Sequence, residues 1–139
     1  MRFMLLVKAS PESEAGVLPD ARLFEEMGAF NESMVKAGVM LAGDGLAPSS
    51  KGARISFTGG KPSVTDGPFT ETTELVAGYW IISVKSKEEA IAWASRVPFD
   101  SGQIEVRQFY EFDEFPEETF TPELRARQAA MQQEMQRNA

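Results

Sequence analysis

The chain has 139 residues, 42% of them apolar and 25% charged, a formal net charge of −7, and neither cysteine nor histidine. That balance suits one soluble globular domain able to bury a core without staples. The missing cysteines exclude disulfides, thiolate nucleophiles and thiolate-bound metal, and the missing histidines remove the commonest metal ligand, the usual axial haem ligand and the one side chain that titrates near neutral pH.

No cofactor and no metal site is therefore expected, and any chemistry must run on carboxylates, Lys, Arg, Tyr, Ser or Thr. Acidity, with basic residues scattered singly, disfavours direct nucleic-acid binding. No apolar run approaches the roughly 20 residues of a membrane span. Met1-Arg2 leads into Phe3-Met4-Leu5-Leu6-Val7 without a signal-peptide cleavage site, so a cytoplasmic location and no membrane partner are expected.

In chain order, "RFMLLVK" (2–8) reads as a strand and "SPESEAGVLP" as a loop. Asp20 is placed to cap a helix whose apolar stripe is Leu23, Met27, Phe30 and Met34, with Gly38 at its end. "VMLAGDGLAPSS" starts as a strand and breaks at Gly43-Asp44-Gly45. Arg54–Thr58 and "KPSVT" form a hairpin around Gly59-Gly60. "LVAGYWIISV" (75–84) is the longest strand candidate. Ser86 and Glu89 make a capping box for a helix with Ala90, Ile91, Ala94 and Val97 on its apolar face, stopped by Pro98. "QIEVRQFY" (103–110) alternates as a last strand, and Thr121-Pro122 opens a helix over 122–135 with a thin stripe of Leu124, Met131 and Met135.

The order β, α, β, hairpin, β, α, β predicts an α+β, ferredoxin-like antiparallel sheet with its helices on one face. A sheet covered on one face should alternate apolar with polar residues, yet "FMLLV" and "VAGYWII" are apolar on both. A second copy of the chain pairing sheet to sheet would cover the open face, which predicts a homodimer. The alternative is that some of these side chains line an internal pocket.

"VTDGPFTETTELVAGYWIISV" (64–84), "GDGLAPSS" (43–50) and "GQIEVRQF" (102–109) together resemble the YCII-related family, in its DGPF branch, over roughly residues 1–111. The resemblance implies a dimeric α+β barrel, and its association with sigma-factor-like proteins implies a regulatory setting. Thr73 stands where the family pattern commonly has lysine, and Gln108 where it has proline. The histidine–aspartate pair suggested for the wider group has no histidine here to carry it. The resulting division is a domain at 1–111 and an acidic linker with a C-terminal helix at 112–139.

Each candidate site residue has two readings. Asp66, before Gly67-Pro68, either fixes an Asx-type turn with Phe69 anchoring the corner, or converges with Thr70 and Thr72 on a ligand cleft. Asp44, between two glycines, is either part of a strand-bending bulge or a general base whose pKa partial burial would raise. Glu105 and Arg107, two apart on one side of the last strand, are either a paired bridge or contacts for an anionic ligand. Tyr79 and Trp80 lie on opposite faces, as core or platform. "EFDEFPEE" (111–118) lacks the ligand spacing of a calcium loop and reads as a solvated segment. Two functions follow: a dimeric small-molecule-binding or regulatory module, with a small-molecule ligand or a protein partner, or a cofactor-free acid–base enzyme on a small organic substrate that uses Asp44 and Arg107.

Overall fold

The computed structural model describes residues 1–72 and 74–139, which fall into two compact units, Met1–Gln108 and Phe109–Ala139. The first is α+β. Its elements are β1 (Arg2–Lys8), α1 (Pro11–Glu14), α2 (Ala21–Lys36), β2 (Met40–Gly45), β3 (Ala53–Thr58), β4 (Lys61–Asp66), β5 (Val76–Ser83), α3 (Lys87–Ala94) and β6 (Ile104–Gln108). Strands β2, β5, β1 and β6 form an antiparallel sheet in that order, and β3 pairs only with β4. This is the expected ferredoxin-like order with a hairpin inserted between β2 and β5.

Local chemistry sets the helix boundaries. Asp20 accepts a 2.8 Å hydrogen bond from the Leu23 N–H, and Ser86 accepts one of 3.1 Å from the Glu89 N–H, satisfying donors that the first helical turn leaves open. Alternation along β1 and β5 then turns Phe3, Leu5, Trp80 and Ile82 toward Phe30 and Met34 of α2 and Ala90 of α3, and these residues make up most of the buried core. Phe30 meets Trp80 edge-on at 5.6 Å between ring centroids, and the indole N–H donates to Asn31 Oδ1 at 2.9 Å. Gly43 permits this packing, because a Cβ there would lie 2.7 Å from the indole ring.

Three expectations need correction. "SPES" is not wholly loop: Ser10 and Ser13 cap each other reciprocally, and residues 11–14 make one helical turn. Ile91 is exposed rather than on the core side of α3, where the half-buried Trp93 packs against the core instead. The last strand ends at Gln108, short of Tyr110.

The second unit holds a turn at Phe112–Glu114 and α4 (Pro122–Asn138), capped by Thr121 as its sequence implies. Phe112 stacks on Phe120 at 4.8 Å. Arg125 lies 4.8 Å from the Phe120 ring centre and donates to the Phe115 carbonyl, so this unit is organised by aromatic contacts rather than by a buried core.

Candidate ligand-binding face

The strand period that sends Phe3, Leu5, Trp80 and Ile82 to the helices sends Met4, Leu6, Tyr79 and Ile81 to the other side. These four are only half-buried, and none joins the core. Strand register aligns Arg107, Met4, Ile81 and Ala42 in one row, and Glu105, Leu6, Tyr79 and Asp44 in the next. The face therefore has an apolar middle, with charges at both edges. Asp44 and Glu105 stand three strand spacings apart, roughly 14 Å, at opposite ends of their row.

At the β6 edge, Arg107 donates to Glu105 at 3.1 Å, and the Lys8 ammonium lies 3.7 Å from the same carboxylate. The hydrogen bond from Arg107, and after it the charge of Lys8, hold the Glu105 carboxyl below the ordinary glutamate range. Arg107 remains largely exposed, so its guanidinium keeps donors for another partner. At the β2 edge Asp44 is exposed, so the partial burial expected of it is absent in the single chain.

Two clefts lie elsewhere. One, of about 440 Å³ between α3 and β6, is lined by Ile91, Val97, Phe99, Asp100 and Ile104 among others, and the second lies beside α2. Neither includes Asp44, Asp66, Thr70, Glu105 or Arg107. Among the described residues, no group of three or more acidic side chains gathers as a metal site, and no helix is long and apolar enough to cross a membrane.

Asp66 and Thr70 are both exposed and stand apart from that face in sequence, at the end of β4 and in the loop after it. The Asx-type turn expected at Asp66 is not what holds the corner. Pro68 has no N–H to offer, the Gly67 N–H donates to the Gly52 carbonyl, and the Phe69 N–H donates to the Ser49 hydroxyl. Ser49 in turn donates from its hydroxyl and its backbone N–H to the Glu14 carboxylate. Gly67 approaches so closely that a Cβ would lie 1.8 Å from the Ser49 carbonyl oxygen. Phe69 is half-buried and outside the core, under the Arg54 guanidinium at 3.8 Å, while Arg54 also pairs with Glu71 at 3.6 Å. Ser49, Glu14 and Lys8 were not singled out by sequence. The juxtaposition of "APSS" with "DGPF" was the available signal, but it required knowing that the two loops meet. Thr73 lies outside the described residues.

Residues 1–113 match the YCII-related domain. The chain belongs to the YCII-related family. A relative, the uncharacterized protein R00369 of Rhizobium meliloti (strain 1021), is 32% identical over 91 residues, covering 63% of this chain and 73% of that protein. A solved structure, that of the 5-chloro-2-hydroxyhydroquinone dehydrochlorinase TftG from Burkholderia phenoliruptrix AC1100 in complex with 2,5-dihydroxybenzoquinone, is similar at a TM-score of 0.40 and 13% identity, over 84% of this chain and all of that one. The YCII-related domain contains every candidate residue, Asp44, Asp66, Thr70, Glu105 and Arg107, whereas α4 lies beyond it.

Proposed function

We propose that this YCII-related protein, of the DGPF branch, is a dimeric small-molecule-binding module. In this reading the open face of the sheet is closed by a second copy, and the enclosed space receives a small organic anion. One observation carries it: an apolar patch of Met4, Leu6, Tyr79 and Ile81 that lies outside the core and stays partly exposed, edged by Lys8, Glu105 and Arg107. The apolar middle suits a planar or aliphatic body, and an arginine whose fork is only partly used by Glu105 suits a carboxylate. Asp66 and Thr70 belong to the loop that would line the mouth. A regulatory role, with the ligand altering a protein partner's binding, is the setting this reading favours.

Titrating small aromatic and aliphatic carboxylates while following thermal unfolding tests the proposal. A saturable rise in melting temperature, lost in Arg107→Ala and kept in the exposed Glu88→Ala, is the expected result. No rise with any carboxylate would remove the anion reading.

A second reading rests on the cross-strand pairing of Asp44 with Tyr79. That places a carboxylate beside a phenol on the same face, where closure by a second copy would bury both and let Asp44 accept a proton while Arg107 stabilises negative charge. Turnover of a bound compound that disappears in Asp44→Asn, with binding intact, would select this enzyme reading over the binding module.

A further inference from the structure

Helix α4 presents Leu124, Met131 and Met135, which are 42%, 50% and 59% exposed. With Gln128 they are spaced 4, 3 and 4, so all four lie along one stripe. That spacing reads the same in both directions. An antiparallel copy of the helix therefore sets Leu124 against the partner's Met135, and Gln128 against the partner's Met131, twice over by symmetry.

The charges discriminate orientation. Arg127 and Glu134 flank the stripe on one side, and neither forms an ion pair within the chain among the described residues. Antiparallel pairing brings Arg127 beside the partner's Glu134 and repeats the contact by the twofold, whereas parallel pairing would set Arg127 beside Gln132 and Glu134 beside Ala139 of the second copy, with no opposite charge for either. Arg125, on the other flank, is held by Phe115 and Phe120 of its own unit, which leaves the stripe as the free side.

We infer that α4 is a self-association helix, pairing antiparallel with α4 of a second copy through Leu124, Gln128, Met131 and Met135. It acts independently of the sheet face. A seam of three apolar side chains per helix is thin, so it strengthens assembly rather than creating it alone.

The thiol-free chain permits a direct test with Leu124→Cys and Met135→Cys in the full-length protein, oxidised singly and as a mixture. In the antiparallel pair, like positions are about 16 Å apart along the axis, beyond the reach of a disulfide. The mixture should therefore cross-link above the level of a Glu88→Cys control, and neither variant should do so alone. Cross-linking of either variant alone would mean parallel pairing and overturn the inference, as would an uncross-linked mixture. In sedimentation equilibrium Arg127→Glu should weaken association about tenfold, and adding Glu134→Arg should restore it. An unchanged association constant in Arg127→Glu, with the sheet-face variant Ile81→Asp still weakening assembly, would defeat the helix pairing and leave the sheet-face reading standing.

Discussion

Ser49 joins three segments distant in sequence: its hydroxyl and backbone N–H reach Glu14, it accepts from the Phe69 N–H, and its carbonyl presses on Gly67. Gly67→Ala should cost about 3 kcal/mol in urea unfolding, because a methyl cannot share space with a backbone carbonyl. Ser49→Ala should cost about 1–3 kcal/mol by leaving half-buried partners without their hydrogen bonds. At the sheet edge, Arg107 and Lys8 hold Glu105 below its ordinary range, so its ionised form is favoured by folding. The sign follows from linkage: this contribution is present above the ordinary glutamate pKa and is lost as pH falls through the depressed one. Carboxyl NMR titration should find Glu105 below the ordinary glutamate range, and Arg107→Gln should move it up. A Glu105 that titrates within that range in the unsubstituted chain would contradict the bridge.

The elements differ in how well they are supported. Strands β1 and β5 run through the core, whereas every residue of the β3–β4 hairpin is exposed, with Ile55, Phe57 and Val64 among them. A two-stranded hairpin is marginal in water alone. Hydrogen exchange should therefore be fast in β3 and β4 and slowest in β1 and β5; equal protection would show the hairpin covered by another surface. The helices were legible because capping and periodicity are local: Asp20 before Leu23 and Ser86 before Glu89 suffice to mark two starts. The corner at Asp66 was not, since its stability depends on Ser49 and Glu14, which local pattern cannot bring together. Ile91 misled for a related reason, as Trp93, two residues on, packs against the core in its place.

For the whole molecule, the informative signal was the failure of alternation. Residues apolar on both sides of β1 and β5 predicted a second apolar face, and the fold places the partly buried Met4, Leu6, Tyr79 and Ile81 on the side away from the helices. Covering what remains exposed of each side chain is worth at most about 1–2 kcal/mol, and the proposed pairing rests on that gain. The candidate residues were less legible. Glu105 and Arg107 could be assigned a common side from their spacing, but Lys8 joins them only through strand order, and Asp44 lies across the sheet from them for the same reason. Sedimentation velocity of the intact chain at low micromolar concentration, with and without Ile81→Asp, tests the covered face most directly. Two or more chains per particle, with weaker association in the variant, is the expected result; a single chain per particle, or assembly that Ile81→Asp leaves unchanged, would contradict it.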